Sequence, residues 1–157
     1  MQRLLIKGKK LLSGNISISG SKNAALPILA ATILSDETVI KNIPLVKDIF
    51  TMTELLNFIG LRTKIDKKNN LIKIKNNKKS LNTVAPYKLV KTMRAGVLVL
   101  GPLLAKYKKA KVSLPGGCAI GTRPVDLHLY ALKKLGAKIK IKNGYIYATA
   151  LNGLSGT

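Results

Sequence analysis

Acidic side chains are scarce in this sequence: six Asp+Glu stand against 28 Lys+Arg, a net charge of +22. Cysteine occurs once, at Cys118, which rules out an internal disulfide and a cysteine-based metal cluster. Tryptophan is absent and aromatics make up only 4%, so the core has to be built from Leu, Ile, Val and Ala. The apolar run near the start, Leu4-Leu5-Ile6, is too short for a signal-peptide core or a membrane span, and a soluble cytoplasmic protein is expected. No His/Asp/Glu cluster, no GxxxxGK[ST] run and no GxGxxG run is present, so neither a metal nor a bound cofactor is expected.

What is present is enough for one packed domain: 157 residues, 46% of them hydrophobic. The basic excess attracts polyanions, phosphate-bearing substrates or an anionic surface. It also fits compositional drift, because lysine and asparagine are abundant while arginine occurs only at Arg3, Arg62, Arg94 and Arg123. Those four stand out for having escaped the drift. The basic clusters Lys64 to Lys79 and Lys106 to Lys111 lack interleaved aromatics, so base stacking and specific nucleic-acid recognition are not expected. A basic nucleic-acid binder remains an alternative reading.

Hydrophobic periodicity predicts a mixed α/β chain. Residues 2–7 and 14–19 alternate as short strands. A helix is expected over Lys22–Leu34, capped by Ser21, with Pro27 in its first turns. A strand over Thr38–Lys41 follows, then a helix capped by Asp48 and closed at Gly60, then a hairpin of 62–66 with 71–75. The second half repeats this order. It predicts a helix over Met93–Leu104 interrupted or shifted near Gly101-Pro102, a strand over 111–114, and a glycine-rich loop to Pro124. A helix closed by Gly136 and a hairpin around Asn143-Gly144 complete it. Leu56-Asn57-Phe58-Ile59-Gly60 matches Leu132-Lys133-Lys134-Leu135-Gly136, so two copies of one supersecondary unit are expected. The chain closes on Leu151-Asn152-Gly153-Leu154-Ser155-Gly156-Thr157 with no capping element, and a truncated polypeptide is expected.

Three segments carry candidate chemistry. In Pro115-Gly-Gly-Cys118-Ala-Ile-Gly-Thr-Arg123-Pro124-Val125-Asp126-Leu127-His128, glycines surround the lone thiol and Arg123 stands near enough in sequence to favour thiolate. A helix starting near Pro124 offers free N–H groups to a phosphate. A linker with an incidental buried cysteine is the competing reading. Lys22 and Asn23, at the opening of a helix after Gly20-Ser21, suit an anion, or are simply solvated. Arg94, in Lys91-Thr92-Met93-Arg94, suits bidentate phosphate binding, or is a surface arginine. His128 reads as structural.

Taken together, Gly20-Ser21-Lys22-Asn23-Ala24-Ala25-Leu26-Pro27, Arg94 ahead of Gly101-Pro102-Leu103, and the Pro115–His128 motif resemble the UDP-N-acetylglucosamine 1-carboxyvinyltransferase family. The resemblance covers this whole chain but less than half of that family's length. The sister enzymes of the shikimate pathway share the fold but lack the cysteine loop and the Ser-Lys-Asn-Ala-Ala form of the first motif.

The resemblance implies an inside-out barrel of βαβαββ-type units. Residues 1–21 would belong to the other lobe, 22–157 would form an incomplete first lobe, and the second lobe would be absent. It implies transfer of the enolpyruvyl group of phosphoenolpyruvate to UDP-N-acetylglucosamine, the first committed step of bacterial peptidoglycan synthesis. By the same resemblance, Lys22, Asn23 and Arg123 bind phosphoenolpyruvate. Arg94, Arg123, Pro124, Val125, Asp126 and Leu127 face the nucleotide sugar, and Cys118 is the catalytic acid. The family's catalytic Asp and a further Arg lie in later segments. An inactive or split fragment that pairs with a second chain is therefore the alternative.

Overall fold

A computed structural model describes residues 3–9, 11–76, 81–116 and 124–156. Helix α1 (Lys22–Ala31) runs into a 3₁₀ turn, Thr32–Leu34, so together they fill the expected helical stretch. Ser21 caps it as its composition predicts, its Oγ accepting from the Ala24 N–H at 3.4 Å. Strand β1 (Glu37–Ile40), helix α2 (Lys47–Ile59) and the hairpin β2 (Arg62–Asp66) and β3 (Leu71–Lys75) complete the first unit. Along α2 the buried residues Ile49, Met52, Thr53, Leu56 and Ile59 recur at helical spacing and form the face turned to the core.

The second unit opens with β4 (Val84–Ala85) and the single-turn helix α3 (Tyr87–Val90), neither of which periodicity shows. Two residues are too few to display an alternation. A 3₁₀ stretch, Arg94–Val99, then passes into α4 (Leu100–Tyr107). The interruption or shift expected near Gly101-Pro102 is this passage from 3₁₀ to α-helix, just before them. Pro102 is the third residue of α4, where no intrahelical N–H bond is lost. Strand β5 (Lys109–Ser113), helix α5 (Asp126–Lys134) and the hairpin β6 (Lys138–Lys142) and β7 (Tyr145–Thr149) follow. Asn143 and Gly144 both have positive φ (49° and 73°), as a tight two-residue hairpin turn requires.

The repeat is visible in the topology. The first sheet has the order β1-β3-β2, and the second β4-β5-β7-β6, with all pairs antiparallel except β4 with β5. Removing β4 leaves the same order twice. The units also share their helix stop: the Leu61 N–H donates to the Leu56 carbonyl, and the Ala137 N–H to that of Leu132, each at 3.0 Å. Gly60 (φ 121°) and Gly136 (φ 93°) supply the left-handed residue that this six-to-one closure needs. Both sheets are open; no closed barrel forms among the described residues.

One apolar core joins the units. Leu29, Ile33, Ile49, Leu55, Leu56, Ile72, Val99, Leu103, Leu104, Val112 and Ile146 are fully buried, each contributing on the order of 1.5–3 kcal/mol. Aliphatic side chains dominate it, as the aromatic-poor composition demands.

Two expectations fail. Residues 3–9 and 11–19 form no strand, and Leu4, Leu5, Ile6, Leu11, Leu12, Ile16 and Ile18 are almost wholly exposed. Alternation suits a strand, but a strand also needs a neighbour for its ladder, and no strand of either sheet takes this segment. Among the described residues it is tied down near its end, where the Asn42 amide donates to the Ile18 carbonyl (3.4 Å) and accepts from the Gly20 N–H (3.1 Å). Asp48, expected as a cap, lies in the first turn of α2; the cap position is Val46, which makes no side-chain bond.

Candidate functional site

The packing of α1 on α2, and of α1 on the 3₁₀ stretch Arg94–Val99, brings three element starts to one place. They open onto a cleft of about 340 Å³ lined by Lys22, Asn23, Leu26, Pro27, Asp48, Met93, Arg94, Val97, Leu98 and His128. Lys22 and Asn23 are the first two residues of α1. Beyond the Ala24 N–H held by Ser21, that end of the helix offers free backbone donors and the positive end of its dipole. Arg94 begins the 3₁₀ stretch on another wall. Leu26, Pro27, Met93, Val97 and Leu98 give the cleft an apolar floor. Cations over such a floor are screened less by solvent than cations on an open surface.

Asp48 is the cleft's carboxylate. Its Oδ2 lies 3.0 Å from Lys22 Nζ, and both side chains remain partly exposed. The pair sets the direction of the Lys22 ammonium while leaving donors for an incoming anion. Composition carries a faint signal for this residue, since only six acids occur in the chain. Its partner is 26 positions away, however, and no local rule joins them. His128, read as structural from sequence, also lines the cleft from the first turn of α5.

The approach of the chain to Lys22 depends on Gly20. A β-carbon there would overlap the Asn42 carbonyl oxygen and crowd Pro44 Cδ at 3.3 Å. The Gly20-Ser21-Lys22 run therefore reaches the start of α1 only with glycine at its first position.

Of the residues implicated by sequence, Lys22, Asn23 and Arg94 come together in this cleft. Pro124, Val125, Asp126 and Leu127 lead into α5 and do not line it; Val125 is buried, and the other three are exposed. Cys118 and Arg123, with most of the glycine-rich loop, lie outside the described residues. Among the described residues, no group of His, Cys, Asp and Glu is placed to hold a metal, and no helix is long and apolar enough to cross a membrane.

Comparison with known proteins bears on the family and the fold. The family model for EPSP synthase (3-phosphoshikimate 1-carboxyvinyltransferase) matches residues 6–156. The chain is 60% identical over 157 residues to a UDP-N-acetylglucosamine 1-carboxyvinyltransferase of Pelagibacter ubique (strain HTCC1062). It is 54% identical over the same length to one of Endomicrobium trichonymphae. In both cases 99% of this chain is covered, but it spans only 37% of the relative's length, in keeping with the resemblance to an N-terminal portion. The enolpyruvyl transferase NikO from Streptomyces tendae shares the fold over 92% of this chain and 31% of its own, with a TM-score of 0.76 at 19% identity. EPSP synthase from Acinetobacter baumannii does so over 87% and 32%, with a TM-score of 0.60 at 18% identity. With a family match over nearly its whole length and the fold seen in these two structures, the chain belongs to the EPSP synthase family of enolpyruvyl (carboxyvinyl) transferases.

Proposed function

We propose that this chain supplies one wall of the active site of a cytoplasmic enzyme that moves the enolpyruvyl group of phosphoenolpyruvate onto UDP-N-acetylglucosamine, releasing phosphate, at the entry to peptidoglycan synthesis. The observation that carries the reading is the convergence of Lys22, Asn23 and Arg94 on one cleft. Two anionic substrates have to be held together, and fixed cations at a helix start do this without reorganising during the reaction. In this reading Lys22, Asn23 and Arg123 hold phosphoenolpyruvate. Arg94, Arg123 and the stretch Pro124, Val125, Asp126 and Leu127 face the nucleotide sugar.

Cys118 acts as the acid. Its thiol proton goes to the methylene carbon of phosphoenolpyruvate, the neighbouring carbon takes on oxocarbenium character, and a sugar hydroxyl oxygen bonds to it. Alternatively the sulfur first bonds there, giving a covalent adduct, and its C–S bond then breaks, returning the electron pair to sulfur, before the sugar oxygen takes its place. Loss of phosphate and of one methyl proton then restores the enol ether. The base for the hydroxyl and a further arginine are expected from segments beyond these 157 residues. The chain alone is therefore expected to bind without turning over, as half of a site that a separate chain or longer product completes.

The test is phosphate release by this chain joined to the remaining part of the Pelagibacter relative. Release that requires both phosphoenolpyruvate and UDP-N-acetylglucosamine supports the reading. Release driven by 3-phosphoshikimate instead, or turnover by the 157 residues unaided, overturns it.

A further inference from the structure

The two units bury the same faces of their sheets but present different outer faces. In the first sheet, Glu37, Lys75 and Arg62 share one cross-strand row, and Val39, Lys73 and Lys64 another. Acid is mixed with base there, and Lys75 Nζ pairs with Glu37 Oε1 at 3.1 Å. In the second sheet the equivalent rows are Lys109, Thr149 and Lys138, then Lys111, Tyr147 and Lys140, then Ser113, Tyr145 and Lys142. The alternate residues Ala110, Val112, Ile146 and Ala148 are buried, so these rows form the outward side, except that Ser113 is itself buried; on β6 Ile141 is exposed as well as the lysines. The six acids of the chain are at 36, 37, 48, 54, 66 and 126, none of them in this sheet. Among the described residues none of the five lysines is ion-paired.

This arrangement interleaves what the sequence keeps apart. The tyrosine strand β7 lies between the lysine strands β5 and β6, each roughly 4.8 Å away. Lys111 Nζ stands 4.8 Å from the Tyr145 ring centre and 5.1 Å from that of Tyr147. The rings lie 6.5 Å apart at 57°. Tyr145 is anchored, its hydroxyl accepting from the Tyr87 N–H at 3.2 Å, while Tyr147 stays 38% exposed. An exposed ring flanked on both sides by unneutralised cations suits a polyanion that also offers flat, unpaired bases. A duplex hides its bases, and inorganic polyphosphate has none.

We propose that the outer face of the β4–β7 sheet binds single-stranded nucleic acid without sequence preference, Tyr147 stacking on a base while Lys109, Lys111, Lys138, Lys140 and Lys142 hold the phosphates. This is independent of the enolpyruvyl reading, since it uses neither the cleft nor its residues. It is tested with the full 157-residue chain and a labelled deoxythymidine oligomer, by fluorescence anisotropy across a salt series, with thermal melts to show that each variant is folded. Tyr147→Leu is expected to weaken binding roughly 5- to 150-fold, from the stacking energy of one base, and Tyr147→Phe to keep it. Lys140→Gln with Lys142→Gln should lower the salt slope by about 0.7 for each phosphate that is no longer neutralised. Lys64→Gln with Lys73→Gln, which removes the same charge from the first sheet, should change it much less. Equal losses from the two lysine pairs would show that net charge alone drives binding, and would overturn the proposal. So would undiminished binding by Tyr147→Leu, no binding at low salt, or competition by duplex DNA or polyphosphate as strong as by the single strand.

Discussion

Lys22 Nζ lies 3.0 Å from Asp48 Oδ2, joining the start of α1 to the first turn of α2 at the mouth of the cleft. A partly exposed pair of this kind contributes roughly 0–1 kcal/mol to stability, so its importance is directional. Asp48→Asn is expected to leave the melting temperature nearly unchanged. Lys22→Ala in a completed enzyme should cost on the order of 1.5–3 kcal/mol in phosphoenolpyruvate affinity, as loss of a charge-assisted hydrogen bond. Lys73→Ala, on the open face of the first sheet, serves as the control. Calorimetric titration that finds the same loss at Lys22 and Lys73 would remove Lys22 from the site.

Gly20 and Gly101 should respond in opposite senses to alanine. At Gly20 the added methyl overlaps the Asn42 carbonyl and forces the start of α1 to move, costing about 1–3 kcal/mol. At Gly101, inside α4, nothing lies within 4 Å, and alanine should stabilise by about 0.4–1 kcal/mol. Urea unfolding of both variants checks the pair. A neutral Gly20→Ala would mean that the approach to Lys22 tolerates a side chain.

Asp66 gives the first hairpin a pH dependence of known sign. Its carboxylate accepts from the Asn69 side chain at 2.8 Å and from the backbone N–H groups of Asn69 and Lys68. Chiefly through the Asn69 side-chain bond, its pKa is held below the ordinary carboxylate value. A lowered folded-state pKa adds stability that is complete above the unfolded value of about 3.9 and is lost as pH falls through the folded one. The stability difference between the natural chain and Asp66→Asn should therefore be constant near neutrality and shrink in acid. A difference that grows in acid would contradict this assignment.

Cys118 is the only thiol, so its labelling is unambiguous. As the acid of the proposed reaction it should be alkylated readily, and in a completed enzyme fosfomycin, an epoxide that mimics phosphoenolpyruvate, should inactivate by bonding to its sulfur. Cys118→Ser should lose most turnover, because a hydroxyl is a far weaker acid. Cys118→Asp should keep part of it while escaping the epoxide. Full activity of Cys118→Ser would end the catalytic assignment.

The sequence by itself determined the local architecture. Both hairpins, the stops at Gly60 and Gly136 and the Ser21 cap follow from short-range rules, because the turn residues and the strand or helix periods they bound are neighbours in the chain. The motifs also singled out Lys22, Asn23 and Arg94, which line one cleft. Tertiary structure alone decided what depends on partners distant in the chain. Alternation in 2–7 and 14–19 promised strands, yet a strand exists only where another takes its hydrogen bonds, and neither sheet does so. Asp48 looked like a cap until the packing of α1 on α2 placed it beside Lys22. Lysine and tyrosine, separate along the chain, meet on the second sheet because cross-strand register places Lys111 opposite Tyr147 and Tyr147 opposite Lys140. Pairing across a sheet is set by the fold's long-range packing, which no window of sequence contains.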